Sequence, residues 1–214
     1  MRSVLARRRV RRSERGVALV ETAMVAVLLV SILVATFELG MAWRSSITNA
    51  QAARAGARVA SSQGVAKLTD QATILAVAAG LRSTGSATIT KVVVFRSATA
   101  DGDVPSTCLT AATLAAGGSS SSKCNVYSTA RIAQIVASPT ATQANFAGTC
   151  TGTSQWDRFW CAPTRNNVQL STGGLDYVGV YVEIAHKTFS KVFGDSITIR
   201  DTSVMRIEPA AGDV

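Results

Sequence analysis

The sequence predicts an α+β protein: a long N-terminal transmembrane and stalk helix, followed by an extracytoplasmic head with a small antiparallel β-sheet. Three observations predict this architecture. An apolar segment of 27 residues near the N-terminus is long enough to cross a bilayer. Helical spacing of small residues continues beyond it, and segments rich in β-branched residues follow. With 47% hydrophobic and 16% charged residues, the composition is that of a folded protein.

The positive charge of the chain is concentrated at its N-terminus. The 214 residues carry a formal net charge of +9, and residues 1–15 hold seven arginines against a single acid, Glu14. The excess therefore belongs to a terminal segment and not to a basic binding face, so we expect no nucleic-acid partner. One histidine and four cysteines leave too few ligands for a multi-histidine metal centre. We expect neither a metal nor a cofactor.

Residues 17–43 have the features of a transmembrane helix. Glu21 and Glu38 bracket sixteen uncharged, mostly apolar residues. As a helix the segment would extend about 40 Å, which exceeds the roughly 30 Å of a hydrocarbon core. The arginines before the segment, against Arg44 after it, place the N-terminus in the cytoplasm by the positive-inside rule. We therefore expect a single-pass protein of the cell membrane whose head is extracytoplasmic.

Two simpler interpretations of this N-terminus are a secretory signal peptide and a plain signal anchor. A signal peptide has an apolar region of about 7 to 15 residues with a small-residue cleavage site after it. Here the apolar stretch is longer, contains Glu21 near its beginning and lacks a convincing A-x-A site at its end. A signal anchor that carries an extracytoplasmic binding domain stays an alternative.

The informative residue of the segment is Glu21, because a carboxylate in an apolar span is costly to insert and usually marks function. Arg15 and Gly16 precede it, and four residues separate Gly16 from Glu21 at the junction of charged leader and apolar helix. This pattern resembles the prepilin cleavage motif. The resemblance implies that a membrane-embedded prepilin peptidase cuts after Gly16, removes residues 1–16 as a leader peptide, and leaves Val17 as the amino terminus.

Helical spacing continues through a predicted stalk at residues 44–64. Small and apolar residues recur there at intervals of three or four and share one face: Ile47, Ala50, Ala53, Ala57 and Ala60. We expect this face to pack on the chain's own head, with packing against neighbouring subunits as the alternative. Gly64 ends the stalk. The head is expected to span residues 65–214.

The head is predicted to begin with a second amphipathic helix and to continue mainly as strands and loops. The helix starts at Leu68 and ends near Gly85, and its apolar face is expected to hold Leu68, Ala72, Leu75, Ala76 and Ala79. Further predicted elements are a strand at 87–96, a loop at 97–123, a short strand at 124–128, a short helix at 129–138 and an irregular segment at 138–165.

The clearest strand pattern covers residues 175–187. Four β-branched residues alternate onto one face of it: Val178, Val180, Val182 and Ile184. A second alternating segment follows at 195–209, with Ile197, Ile199, Met205 and Ile207 on one parity. We expect these two segments to pair antiparallel.

The four cysteines, Cys108, Cys124, Cys150 and Cys161, all lie in the part of the chain expected outside the cytoplasm. Four cysteines allow three connectivities, and an oxidising compartment favours disulfides. Pairing of nearest neighbours would clamp two long loops and stabilise each by about 2 to 4 kcal/mol. A zinc site is the rival, but the chain has no C-x2-C spacing and His186 is its only imidazole. We therefore expect disulfides and no metal.

Other candidates for chemistry favour structural roles. Asp101-Gly102-Asp103 is typical of a turn rather than a calcium loop, because no further carboxylates follow at loop spacing. The aromatic run at 156–160 is expected to pack under its loop rather than form a binding tip. His186 is interpreted as a strand-end residue. The sequence contains no nucleophile elbow, P-loop or C-x-x-C motif.

The chain resembles TadE-like pilus assembly proteins, which are minor pseudopilins of tight-adherence (type IVb, Flp-type) pilus systems. The resemblance depends on seven segments of this sequence: RGVALVETAMV at the membrane junction, QAARAGARVA after it, VVVFR with the cysteine loop that follows, 124–127, 176–180, 185–186 and 203–209. The resemblance implies a prepilin peptidase and other pilin subunits as partners, the latter contacted through the N-terminal helix and the charge of Glu21. The head is larger than in major pilins of this class, which implies a minor or priming subunit.

The sequence therefore predicts a non-enzymatic structural protein that acts in pilus assembly or adhesion. The alternatives are the signal-anchored binding domain and an exported enzyme, and the latter lacks any constellation of residues to carry a reaction. Processing at Gly16 separates the first interpretation from the second.

Overall fold

Helix α1, Glu14–Gln63, is the longest element of the protein. The computed structural model describes residues 14–85, 87–146, 150–168, 174–191 and 194–209, so most of the predicted leader lies outside the described residues. The chain divides into two compact units, Met1–Met41 and Ala42–Val214. We call the second one the head unit. The last 22 residues of α1 belong to it and the earlier residues do not.

The first half of α1 is apolar and mostly exposed. Most of its large hydrophobic side chains from Val17 to Leu39 are between about half and three quarters accessible, whereas Val34 is half-buried and Glu38 is buried. A soluble protein would bury such side chains, since each gains roughly 1.5–3 kcal/mol on leaving water. The helix is long and apolar enough to cross a membrane.

The head unit contains a five-stranded sheet with helices, as the sequence predicts for an α+β protein. Its helices are α2 (Thr69–Leu81), α3 (Ala111–Ala116), α4 (Thr129–Ala137) and α5 (Pro139–Thr142), with three short 3-10 turns at Ser106–Leu109, Gln143–Phe146 and Ala162–Thr164. Its strands are β1 (Ala87–Ser97), β2 (Gly118–Ser119), β3 (Cys124–Ser128), β4 (Tyr177–Lys187) and β5 (Ser196–Arg206). The strand order is β2-β3-β1-β4-β5, and every neighbouring pair is antiparallel.

Strand β4 is the centre of the main core. Its four alternating residues, Val178, Val180, Val182 and Ile184, are fully buried together with residues of α1 and α2. This confirms the predicted face of the strand. The predicted antiparallel pairing with β5 is also confirmed, with Tyr177 opposite Arg206 at one end and Lys187 opposite Ser196 at the other.

The opposite face of the sheet carries a second, smaller core. Val93, Phe95, Val126 and Tyr181 are buried there together with Cys108 and Cys124. The segment predicted as a plain loop at 97–123 covers this face, and it contains the first 3-10 turn, α3 and β2. The prediction of a featureless loop is wrong because Thr110 caps α3 through the Thr113 amide, 3.3 Å away, and Gly117 ends it in the left-handed region.

The second half of α1 packs its small residues against the sheet. Ala52, Ala53, Ala57 and Ala60 are fully buried in the main core. A Cβ atom at Gly56 would lie 2.6 Å from Cγ2 of Val77 and 3.3 Å from Cγ1 of Val180, so only glycine permits this approach. Packing of the stalk face on the chain's own head is thus confirmed, except that Ile47 is about half exposed.

Helix α1 ends at Gly64, as predicted. Its backbone adopts φ of +47° and its amide donates to the carbonyl of Ala60 at 3.1 Å. Glycine enters the left-handed region without the steric cost of a Cβ atom. The chain then turns directly into α2.

The predicted buried face of α2 is wrong. Ala79 is exposed and Ala72 only partly buried, whereas the fully buried residues are Thr69, Asp70, Gln71, Thr73, Ile74, Val77 and Leu81. The apolar residues of α2 itself lie on nearly every side of the helix, so helical spacing alone does not indicate which face is buried. Close packing selects it instead, since a Cβ atom at Gly80 would lie 3.1 Å from Cβ of Ala52. The helix also ends at Leu81 and not near Gly85.

Candidate functional site

The predicted processing residues lie in the first turns of α1. Gly16 is the third residue of the helix, and no atom lies within 4 Å of the position that a Cβ atom would occupy there. A peptidase must open the helix locally to reach the bond between Gly16 and Val17. Glycine makes this opening inexpensive, because it favours the helix by about 1 kcal/mol less than alanine does.

Glu21 lies on the same face of α1 as Val17, one turn further along the helix. Its side chain is exposed. Among the side chains that the structure describes, none forms a hydrogen bond or an ion pair with it. A carboxylate in this position needs a cation if it is to stay charged in a membrane.

Three hydroxyl side chains between Glu21 and Glu38 are satisfied within the helix. The hydroxyls of Thr22, Ser31 and Thr36 each donate to the carbonyl four residues earlier, at 2.7 to 2.8 Å. Such bonds remove the cost of placing a hydroxyl in hydrocarbon. They set Glu21 apart as a polar group that the helix itself does not accommodate.

The four cysteines form two disulfides between nearest neighbours. Cys108 pairs with Cys124, with 6.3 Å between Cα atoms, and Cys150 pairs with Cys161, with 5.5 Å. The first bond ties the segment after β1 to β3. The second closes the loop that carries the aromatic run at 156–160. All four cysteines are therefore committed to bonds, as the disulfide prediction expects.

A buried ion pair, which the sequence did not reveal, links α2 to this second loop. Asp70 and Arg165 have fully buried side chains, and Nη2 of Arg165 donates to Oδ1 of Asp70. Oδ2 of Asp70 accepts hydrogen bonds from Asn125 Nδ2 at 2.9 Å and from the Tyr127 hydroxyl at 2.8 Å. Both oxygens are therefore satisfied, which a buried carboxylate requires.

Asn125 and Trp160 extend this cluster to the backbone of the loop. Oδ1 of Asn125 accepts from the amides of Phe159 and Trp160 at 3.2 and 3.0 Å, and Nδ2 donates to the Trp160 carbonyl at 2.9 Å. The guanidinium of Arg165 lies 4.3 Å from the centre of the Trp160 ring, a cation–π contact. Charge, amide and ring together hold the loop against β3.

Asp157 is a second buried aspartate in the same region. It is fully buried, and neither carboxylate oxygen has a hydrogen-bond partner among the described residues. Burial, with the charge of Asp70 second, raises the pKa of Asp157 to about 6, although the nearby amides of Asp157 and Ala162 and the charge of Arg165 partly offset the rise. The carboxyl group is therefore more stable protonated than an exposed aspartate would be.

A second charged cluster surrounds Glu183 on the opposite face of the sheet. Its carboxylate lies 3.0 Å from Lys91 Nζ and 3.0 Å from Arg200 Nε, and it accepts from the Tyr181 hydroxyl at 2.8 Å. Burial alone would raise the pKa of Glu183, but the hydrogen bonds from Lys91, Tyr181 and Thr90 lower it below its usual value. This cluster joins β1, β4 and β5 and is structural.

The remaining candidates have the structural roles that the sequence favours. Asp103 Oδ1 accepts from the Val104 amide and from Thr202, so the Asp101-Gly102-Asp103 turn fastens its loop to β5. The aromatic run packs inward: Trp160 is buried, and Trp156 contacts the Phe146 ring edge-on with 5.8 Å between centres.

His186 lies near the end of β4, as predicted, but it has a contact that the sequence did not indicate. It is buried, and its Nδ1 lies 3.0 Å from Oγ of Ser45 on α1. Because this bond joins residues 141 positions apart, no local sequence pattern could predict it.

A long exposed apolar helix followed by a disulfide-linked α+β head fits the class of proteins with a single-pass membrane anchor. Residues 16–58 match the family model described as TadE-like protein. The predicted resemblance is thereby confirmed over this segment, which begins at Gly16 and ends within the buried half of α1. The match is consistent with a TadE-like protein of Tad pilus systems, a family of structural proteins. No curated protein and no solved structure matches the chain.

Replacing the two buried aspartates, Asp157 and Asp70, by asparagine should change the free energy of unfolding in opposite directions. Asp157→Asn should raise the free energy of unfolding at pH 8 by about 1–3 kcal/mol, because it removes a desolvated charge whose oxygens lack a direct hydrogen bond among the described residues. Asp70→Asn should lower it by about 3–5 kcal/mol, because it leaves Arg165 buried and unpaired. Urea unfolding of the full chain in detergent, with disulfides intact, measures both.

The gain from Asp157→Asn should depend on pH. The native pKa of about 6 lies above the usual 3.8, so the folded wild type takes up a proton before the unfolded chain does. Its stability therefore increases as pH falls from about 6 to about 4, and the advantage of the variant should disappear there. The exposed Asp101→Asn serves as control. An equal gain at pH 8 and pH 4, or a loss at pH 8, would show that Asp157 is not destabilised by burial.

Proposed function

We propose that this chain is a minor pseudopilin that acts in the assembly of a Tad pilus. A prepilin peptidase removes residues 1–16, the following helix stays in the membrane, and the head lies outside the cytoplasm. The observation that carries the proposal is the match of residues 16–58 to TadE-like proteins, on a helix whose apolar side chains are exposed in the described part of the chain. The proposed role is structural and not catalytic.

The orientation of the chain has two independent supports. The arginines before residue 16 favour a cytoplasmic N-terminus. The two disulfides of the head favour an oxidising compartment on the other side. Both arguments lead to the same arrangement, although one depends on the leader and the other on the head.

Glu21 is proposed to provide the charge for subunit assembly. Cleavage after Gly16 creates an ammonium group on Val17, which lies on the same helix face one turn away. The carboxylate of Glu21 would pair with this group in its own chain or in a neighbouring pilin. A cation within about 4 to 6 Å stabilises the ionised carboxylate in a medium of low dielectric constant. The exposure of Glu21, with no partner among the described side chains, supports an intermolecular role.

Processing tests the proposal directly. Co-expression with the cognate prepilin peptidase should remove the first 16 of 214 residues and leave a chain of 198 that begins with Val17. Intact-mass measurement identifies the product. Gly16→Val should block the cut because a branched side chain crowds the scissile bond, whereas Gly40→Val, in the same helix and equally free of neighbours, should be processed normally. Retention of residues 1–16 in the wild type would favour the signal-anchored binding domain instead.

Glu21→Ala should separate processing from assembly. The variant should insert at least as well as the wild type, because no carboxylate enters the bilayer, and it should still be cut after Gly16. It should fail to co-purify with other pilins and fail to support piliation. Thr22→Ala is the matched control, since the Thr22 hydroxyl is satisfied inside the helix. Normal piliation by the Glu21→Ala strain would mean that this carboxylate has no part in assembly.

A further inference from the structure

In the head unit α1 and β4 run antiparallel, and the hydrogen bonds from α1 to the sheet show which end of the strand lies near the start of this part of α1. Ser61 Oγ donates to the carbonyl of Arg206, which pairs with the first residue of β4. Asn49 Nδ2 donates to the Val182 carbonyl at 3.2 Å, and Ser45 contacts His186 near the last residue of the strand. As β4 advances, its contacts therefore move back along α1 towards residue 42.

The hairpin that connects β4 to β5 consequently lies at the end of the head unit where the apolar segment of α1 joins it. Ser45 is only two residues after Trp43, the last residue of the predicted span. Phe189 is three residues after His186, so the hairpin extends up to about 10 Å beyond the level of Ser45. If residues 17–43 cross a bilayer, the hairpin lies at the same end of the head unit as the residues at which the chain leaves that bilayer.

The described part of this hairpin is closed by hydrogen bonds. The Thr188 amide donates to the Asp195 carbonyl at 3.3 Å, and the Thr188 hydroxyl donates to the carbonyl of Gly194. The Gly194 amide donates to the Lys191 carbonyl at 3.1 Å. These bonds close the loop that contains Phe189, and the Phe189 side chain is exposed.

Large hydrophobic side chains are exposed mainly at this end. Phe189 is 87% accessible and Trp43 71%, and Ile47, one turn after Trp43, is 48% accessible. Elsewhere in the described head unit, the only comparable residues are Val136 and Val168, which are barely above one third accessible. An aromatic side chain of this exposure contributes little buried area to the core, and exposed hydrophobic residues grouped at one end of a domain are typical of a binding surface.

Positive charges accompany these side chains. Arg44 and Lys187 are exposed, and Lys191 has only an exposed contact of 3.4 Å with Asp195. Aromatic rings with neighbouring lysines and arginines are the composition found at membrane–water interfaces, and basic residues there attract anionic headgroups. We call Trp43, Arg44, Ile47, Lys187, Phe189 and Lys191 the membrane-proximal patch.

We propose that the β4–β5 hairpin is a second membrane contact of this protein, in which Phe189 enters the interfacial region of the outer leaflet while Lys187 and Lys191 contact anionic lipid headgroups. The inference rests on the proposed membrane span of residues 17–43 and adds a lipid-binding site on the head. Its occupant is the bilayer that α1 is proposed to cross, because Trp43, Arg44 and Ile47 directly follow the apolar residues of α1, the contact of His186 with Ser45 brings the hairpin to the same end of the head unit, and the exposed lysines carry the complementary charge.

The test places an environment-sensitive probe at the hairpin tip. The full chain carrying Phe189→Cys, labelled with the fluorophore NBD, is reconstituted into vesicles of equal parts phosphatidylglycerol and phosphatidylcholine. The matched control is Ser121→Cys, an exposed position beside Tyr177 at the opposite end of β4, about 33 Å along the strand. The native cysteines are paired and do not compete for the label.

At position 189 the emission should shift to shorter wavelength and should be quenched by lipids that carry a nitroxide high in the acyl chain, whereas position 121 should behave as in water. A water-like emission at 189 overturns the inference and leaves the membrane span intact. A blue shift without quenching by lipid also overturns it, because a second protein chain would then cover the probe at position 189. Failure of the chain to incorporate into vesicles would overturn the membrane span as well.

Charge reversal tests the headgroup contact separately. Introducing Lys187→Glu and Lys191→Glu together into the labelled chain should weaken lipid quenching at position 189 in the anionic vesicles, and so should omission of phosphatidylglycerol for the unreversed chain. Equal quenching in all three cases would show that the lysines do not contact anionic lipid.

Discussion

The burial of a small-residue helix face against the sheet is the constraint on which the rest of the structure depends. Ala52, Ala53 and Ala57 contribute only methyl groups to the buried face of α1, which contacts α2 and β4, and Gly56 contributes none. The helix can therefore approach closely enough for Val180 to contact it. Without α1, the apolar face of β4 would be open to water, so a head taken from residue 65 onward would lack one wall of its core.

The two halves of α1 thus lie in different environments, and their side chains differ accordingly. Large residues such as Leu28 and Leu33 are exposed in the first half, where lipid is the proposed solvent, while alanines are buried in the second half, where the partner is the sheet. The ion pair of Asp70 and Arg165 links α2 to the segment that follows the second disulfide. Burying two charges is costly. Both oxygens of Asp70 have donors, whereas Nε and Nη1 of Arg165 have no hydrogen-bond partner among the described residues.

Local patterns predicted the elements that depend on local chemistry. Strict alternation identified β4, and Gly64 identified the end of α1. The face of α2 could not be predicted, because an apolar helix has several equivalent faces until its neighbours are placed. The Asp70–Arg165 pair joins residues 95 positions apart, and neither residue lies in a motif. The proposed processing site could be recognised from the sequence because the arginine-rich segment, Gly16 and Glu21 lie close together along the chain. The proposed partner of Glu21 could not be recognised, because it is a newly formed amino terminus in the same chain or in another one.

The central claim is that the second half of α1 is part of the head's core and not a free stalk. Hydrogen exchange of the full chain in detergent micelles measures this most directly, since amides of one cooperative unit open together. The amides of residues 52–60 should exchange with the same opening free energy as those of Val92–Val94 in β1 and Val180–Val182 in β4. Fast exchange of residues 52–60 while the sheet stays protected would contradict the account, because the sheet would then be folded without its helix.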